Sequence, residues 1–455
     1  MSSTTVRKTS HEPRNFLIGN CPHSNDDGND ARQAAAVTRP ATTLVAHIIV
    51  WLSLGIGVPA LAQNDAGGFP SFAFPTTSLT FSNGGTKLAG LLMKPTGKGP
   101  FPAVVILHGA GSATHNEPAY RVHANAFACG GFAVLLYDKR GSGKSSGDLD
   151  WSDFDDLAGD AAAGVTYLRS RDDINAEAIG FLGRSEGGWI GPIAATRDSR
   201  IAFVIMSSGA AVRPIEQVRW WMRRLFQAKG APTVDIEAAL VAREAQWEYY
   251  RRVARDPIWA RSAAGVARHN EVDIQMAAFR KVATEFGKQA VASPTNTSAL
   301  FFAAFTRKMD FDPLPSLMTM RAPLLDVIGG DEDVVEPAST MAVLESLKTN
   351  GHDVAVKVLP KVGHPLIVMT PAGPRYPDDY PEFTVRWAAE KVRGTSVPIG
   401  VSKSSDPRPP AELVDIGGQH LHVYGMGKGT PTVILESGTG DVSAIWALVQ
   451  PESRM

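Results

Sequence analysis

The apolar positions of this chain fall into two kinds of run that alternate along it. "FPAVVILHGAGS", residues 101–112, "GFAVLLYDKRGSG", 131–143, and "AIGFLGRS", 178–185, are continuous apolar stretches that end in glycines or serine. A run of this length and kind predicts a strand buried on both faces. "IAFVIMSSG", 201–209, "APLLDVIGGDED", 322–333, and "DVAVKVLP" repeat it. Between these lie helical segments. "DFDDLAGDAAAGVTYLRS", 153–170, opens on acids that suit a helix N-terminus. Further helices are expected over 187–197, 337–349 and "DDYPEFTVRWAAEKVRG". "LTFSNGGTKLAGLLMKP" reads as two strands around Asn83-Gly84-Gly85. Strands alternating with helices imply a mostly parallel sheet covered on both faces, an α/β fold.

The rhythm stops near residue 211. "IEQVRWWMRRLF", "DIEAALVAREAQWEYYRRVARD" and "EVDIQMAAFRKVATEFGKQA" are helix formers with no strand between them. The expected organisation is therefore a core in two parts, 70–211 and 321–394, with a helical lid, 212–320, inserted between two sheet strands. Trp220, Trp221, Trp247 and Trp259 lie in that block. They either line an acyl pocket or pack between helices. "RWWMRRLF" also reads as an amphipathic face for a membrane surface.

Composition narrows the class of protein. The 455 residues carry a formal net charge of −1, with 44% hydrophobic and 20% charged residues. That balance gives no reason to expect a nucleic-acid partner or a polyanionic substrate. Residues 1–62 read as a leader: a polar stretch, Arg39, an apolar segment too interrupted for a stable membrane span, and the small-x-small end Ala60-Leu61-Ala62. Cleavage there implies a secreted or periplasmic protein. Of two cysteines, Cys21 falls in the leader, so the mature chain is expected to hold one thiol, Cys129. A Pro- and Ser-rich linker, 395–410, precedes a tail, 411–455, that repeats the order Gly-Gly-x-x-Leu, Gly-Lys-Gly, Val-Ile-Leu, Gly-x-Gly of residues 82–111. The tail reads as the truncated start of a second copy of the core.

The chemistry centres on "GRSEG", 183–187, at the end of one expected strand and the start of one expected helix. In that setting Gly-x-Ser-x-Gly is a strained turn that lifts a serine hydroxyl clear of the sheet. Ser185 needs a base to take its proton and a carboxylate to orient that base. "VIGGDEDVVEP" supplies acids at 331, 332, 333 and 336 after one strand, and "LPKVGHPL" supplies His364 after the next. Both fall at the same edge of the sheet as Ser185. The backbone N–H groups of Ala110, in "HGAGS", and Glu186 are the expected oxyanion hole. His108 is expected to shape that turn. "YDKRGSGKSSG" lacks the glycine spacing of a phosphate loop and reads as a structural loop beside the site. No metal-ligand spacing appears, and neither a metal nor another cofactor is expected.

"HGAG", "DKRGSGKSSG", "GRSEGGW", "GGDEDVV" and "VGH", in this order over about 78–394, resemble the α/β-hydrolase superfamily. Within it the chain looks like the bacterial dienelactone-hydrolase and prolyl-oligopeptidase-like serine hydrolases. Their Gly-x-x-Asp pattern places the acid at Asp333, through Gly330, with Asp331 as runner-up. The resemblance implies a Ser185, Asp333, His364 triad acting on a small-molecule ester or peptide through an acyl-enzyme, with carboxylic esters expected. A peptidase or amidase of the same fold is the alternative, and a non-catalytic binding protein is the third reading. A dehalogenase would need a carboxylate at the elbow.

Overall fold

A computed structural model of the protein describes residues 71–286, 299–370, 373–377, 379–393, 411–415 and 420–424. The expected leader, 1–62, and linker, 395–410, lie outside the described residues. The chain divides into two units, Met1–Val397 and Pro398–Met455.

In the first unit β1 (Thr76–Asn83) and β2 (Thr86–Met93) form the expected hairpin, closing at Asn83 opposite Thr86. Gly84 takes φ +53° in the turn, where a side chain would be strained. The alternation follows as β3 (Phe101–Leu107), α1 (Pro118–Cys129), β4 (Ala133–Tyr137), α2 (Phe154–Arg169), β5 (Ile174–Arg184), α3 (Gly187–Thr196) and β6 (Ile201–Ser207). The start of α2 is set by Asp153, which accepts from the N–H groups of Asp155 and Asp156 while the Asp156 side chain reaches back to the Asp153 N–H. The apolar pattern does not predict α1, because its buried face includes His123 and Asn125 as well as Tyr120 and Phe127. Cys129, at the end of α1, is disulfide-bonded in the full chain.

Between β6 and the next strand run α4 (Pro214–Ala228), α5 (Thr233–Arg255), α6 (Ala263–Phe286), α7 (Ala299–Met309) and α8 (Leu314–Thr319). The core resumes with β7 (Leu324–Gly329), α9 (Pro337–Thr349), β8 (Val354–Leu359), a small hairpin of β9 (Val368–Thr370) and β10 (Gly373–Arg375), and α10 (Tyr380–Val392). The eight-stranded sheet has the order β1-β2-β4-β3-β5-β6-β7-β8. Strands β4, β3, β5, β6, β7 and β8 run parallel to one another, and β2 runs against both β1 and β4. Val105, Leu135, Phe181, Val204 and Leu324 are wholly buried and join one core across these strands. Burial of each large side chain contributes on the order of 1.5–3 kcal/mol. The direction of winding reverses at β3, which lies between β4 and β5. The loops after β3 and β5 therefore leave the same edge side by side, where such sheets form their clefts.

The inserted helices have a core of their own. Trp221, Met222, Phe226, Trp247 and Phe279 pack together with Val334, which follows β7. The apolar face of "RWWMRRLF" is thus turned inward, and Trp221 and Trp247 serve packing. Among the described residues no helix is long and apolar enough to cross a membrane. In the second unit β11 (Ala411–Asp415) pairs antiparallel with β12 (His420–Tyr424). The rest of the 411–455 tail lies outside the described residues.

Candidate active site

Ser185 stands on the turn between β5 and α3 with φ +51°, a left-handed conformation rare for a residue with a side chain. Strain of this kind costs on the order of 1–3 kcal/mol and persists only where the surroundings hold it. Here the flanking glycines make it possible. A Cβ on Gly183 would lie 2.1 Å from the Gly187 carbonyl oxygen, and one on Gly187 would lie 2.7 Å from that of Leu107. The Ser185 N–H donates to the Ser207 carbonyl at 2.8 Å, which pins the turn to β6.

His364 follows β8, and its Nε2 lies 2.9 Å from Ser185 Oγ. Its Nδ1 lies 2.9 Å from Glu332 Oε1, and both side chains are buried. This corrects the expected acid. Asp333 is exposed, and its Oδ1 accepts only the backbone N–H of His364, at 3.3 Å. Asp331 is also exposed. The physical reason lies in the path of the loop after β7. Glu332 Oε1 accepts the N–H groups of Asp333, Val334 and Val335 at 3.2, 2.9 and 3.1 Å, so the loop wraps around this carboxylate and turns its neighbours out. Gly329 lets the histidine loop close on it, since a Cβ there would sit 2.3 Å from the Val362 carbonyl oxygen. Burial alone would raise the Glu332 pKa. The His364 charge, its hydrogen bond and the N–H groups of Val334 and Val335 outweigh burial and hold the carboxyl below its ordinary value. One turn back on β7, Asp326 is wholly buried with neither oxygen hydrogen-bonded. Burial first, and the Glu332 charge second, push its pKa well up.

The loop after β3 comes up against the serine. A Cβ on Gly109 would lie 3.6 Å from Ser185 Cβ. The Gly109 N–H donates to the Tyr120 hydroxyl at 2.9 Å, and Gly111 takes φ +88°. Glu186 is the N-cap of α3, so its N–H has no acceptor within the helix. Ala110 and Glu186 border one cavity beside Ser185. His108 lies buried edge-on to Tyr120 and Tyr137, and burial and the Lys139 charge push its pKa down to about 3.

Sequence reasoning missed Lys139. This residue of the "YDKRGSG" loop donates from Nζ to the Gly109 carbonyl at 2.9 Å and pairs with the Glu186 carboxylate, with both side chains buried. One ammonium thereby ties the two backbone segments that carry Ala110 and Glu186. The only signal for it was a lysine at a strand end, flanked by Asp138, whose carboxylate holds the His115 and Lys144 N–H groups and so folds the rest of that loop.

The cavity, partly open to solvent, offers about 550 Å³ of empty space between the sheet edge and the inserted helices. Phe154 and Trp189 wall it from the core, and Pro214, Val218, Phe301 and Phe305 from α4 and α7. None of the four tryptophans of the insertion lines it. Its polar members besides Glu186 are Asp150, Gln217 and Lys308, none of which the sequence pattern singles out.

Residues 98–369 match the family model described as serine aminopeptidase, S33. Esterase EstD of Thermotoga maritima is 29% identical over 148 residues, which are 31% of this chain and 35% of that protein, so the chain spans about a third of the length of that curated relative. Among solved structures, the esterase Pf2001 of Pyrococcus furiosus aligns with 17% identity and a TM-score of 0.42, covering 71% of this chain and 92% of the other. Proline iminopeptidase of Mycobacterium smegmatis aligns with 20% identity and a TM-score of 0.42, covering 69% and 98%.

Proposed function

As a member of the serine aminopeptidase S33 family, to which the match over residues 98–369 assigns it, this chain is a serine hydrolase of the α/β-hydrolase fold, and we propose that it cleaves carboxylic esters through an acyl-enzyme on Ser185, His364 and Glu332. The carrying observation is the continuous chain of contacts Ser185 Oγ to His364 Nε2 and His364 Nδ1 to Glu332 Oε1, each 2.9 Å. His364 takes the Ser185 proton as Oγ adds to the ester carbonyl. Glu332 keeps the proton on Nδ1, so that Nε2 is the basic nitrogen, and stabilises the imidazolium that forms. The Ala110 and Glu186 N–H groups receive the oxyanion. His364 returns its proton to the departing alcohol. Water then adds to the acyl-enzyme with His364 as base, and the acid leaves.

The likeness to an esterase over part of its length supports an ester substrate. An aminopeptidase reading has the family description in its favour. It calls for a carboxylate to receive a substrate ammonium. Here Glu186 is taken by Lys139, and Asp150 lies in the field of Lys308. The apolar segment ending in Ala60-Leu61-Ala62 supports export of the mature enzyme to the periplasm or beyond. The test is hydrolysis of p-nitrophenyl butyrate against an aminoacyl-nitroanilide. The ester is turned over, the anilide is the poorer substrate, and Ser185→Ala loses both while its Tm is kept. Retained turnover in Ser185→Ala contradicts the reading.

A further inference from the structure

The cavity beside Ser185 has one polar group whose needs the fold leaves unmet. Gln217, on α4, is 2% exposed and lines the cavity, and its Oε1 has no hydrogen-bond partner. A buried carbonyl oxygen without a donor costs on the order of 1–3 kcal/mol. Its neighbours along the helix, Pro214 and Val218, also face the cavity and offer it nothing to accept. The surrounding wall is aromatic and aliphatic, so a ligand that fills it is apolar over most of its surface.

The charges bordering the cavity decide what the polar end of that ligand carries. Lys308, on α7, is the cation that lines it, and its Nζ donates to the Leu149 carbonyl at 3.3 Å. Burial lowers its pKa, and Glu186, Asp150 and Asp153 act on it as opposing charges while Lys139 acts as a like one. Glu186 is paired with Lys139, and Asp153 with Arg307. Lys308 is left with the Asp150 carboxylate, also in the cavity lining, as its opposing charge. An anionic substrate would enter without an uncompensated cation to receive it, and a cationic one without an uncompensated anion. A neutral donor, a hydroxyl or an amide N–H, meets no such cost.

Resting on the reading of Ser185 as the acylated residue, we propose that this cavity selects neutral apolar acyl groups, aryl or comparable in bulk, that bear a hydrogen-bond donor accepted by Gln217 Oε1. The cavity borders both oxyanion donors, so the carbonyl end of the acyl group lies at Ala110 and Glu186, and the body runs toward α4. Sites built to bond a donor reject analogues lacking it far more strongly than apolar pockets sort by size. Gln217 is therefore a specificity-determining residue.

The test compares 3-phenylpropionamide with 3-(4-hydroxyphenyl)propionamide, both neutral, and the p-nitrophenyl esters of the two parent acids, on the full chain. Calorimetry gives the affinity of the two amides without requiring turnover. In the wild-type protein the hydroxylated amide binds about ten-fold or more tightly, and the hydroxylated ester has the higher kcat/KM by a similar factor. Gln217→Leu, close in shape, abolishes the difference in both readouts. Gln217→Glu, which still accepts, retains it, provided circular dichroism shows both variants folded. Equal affinity of the two amides for the wild type overturns the proposal, as does a preference that survives in Gln217→Leu. A binding preference that depends on Gln217 in a protein that hydrolyses neither ester supports this inference and overturns the ester reading instead.

Discussion

His364 Nδ1 lies 2.9 Å from Glu332 Oε1, while Asp333, one residue on, reaches only the backbone N–H of the same histidine. The two carboxylates should therefore separate cleanly on substitution. Glu332→Gln keeps the shape but no longer holds the proton on Nδ1, and kcat/KM for p-nitrophenyl butyrate should fall by about 10³–10⁴. Asp333→Asn keeps an oxygen able to accept the one long hydrogen bond at this exposed position and should cost less than about ten-fold. Steady-state kinetics of the two variants side by side checks this.

The Lys139–Glu186 pair supports the backbone on both sides of the proposed oxyanion site. Lys139→Met leaves the Glu186 carboxylate buried and unpaired, and should cost about 3–5 kcal/mol in stability. The double variant Lys139→Met, Glu186→Leu removes that charge and should recover most of the loss. Its kcat should remain depressed, because Gly109 is no longer tethered. Urea unfolding and kinetics on the two variants separate the effects.

Asp326 gives a pH signature. Its folded pKa is raised, so the folded state disfavours its ionised form. Stability attributable to this group is whole below the unfolded pKa and is lost as pH rises through the folded value. Asp326→Asn should raise Tm at pH 8 and leave it nearly unchanged at pH 4. The Glu332 shift has the opposite sign. Its contribution is present above the ordinary glutamate pKa and is lost as pH falls through the lowered folded value. Thermal melts from pH 3 to 9 on wild type and Asp326→Asn test both directions.

The glycines of the elbow are steric requirements. Gly183→Ala would place a Cβ 2.1 Å from the Gly187 carbonyl oxygen, and backbone must move to admit it. Loss of more than about 3 kcal/mol of stability is expected, with activity falling in the fraction that stays folded. Gly84→Ala, where nothing lies within 4 Å, should show only the smaller penalty of its positive φ. Chemical denaturation of the two variants makes the comparison.

The parallel core was legible because its inner strands are buried on both faces and read as unbroken apolar runs, as in "FPAVVILHGAGS". The elbow was legible because Gly-x-Ser-x-Gly is forced by close backbone approaches that hold whatever the substrate. The identity of the acid was not. Residues 331, 332 and 333 differ by one or two positions, and which of them turns inward depends on three N–H groups converging on Glu332. No spacing encodes that convergence. The tryptophans of the insertion left two readings open for a related reason. Periodicity marks a buried face, and it does not say whether the face meets another helix or a cavity. Trp221 and Trp247 meet helices, while Phe301 and Phe305 reach the cavity. Lys139 matters through partners distant in sequence and Gln217 through the cavity it lines, and neither stands in a recognisable pattern.

The central claim is that Ser185 is a nucleophile activated by a His364 that Glu332 orients. Reaction with a fluorophosphonate, followed by intact mass and peptide mapping, tests it most directly. The account predicts a single adduct on Ser185, formed quickly in the wild type and in Asp333→Asn and far more slowly in His364→Ala and Glu332→Gln. An adduct on another residue, or Glu332→Gln labelling as fast as wild type while Asp333→Asn is slowed, would contradict it.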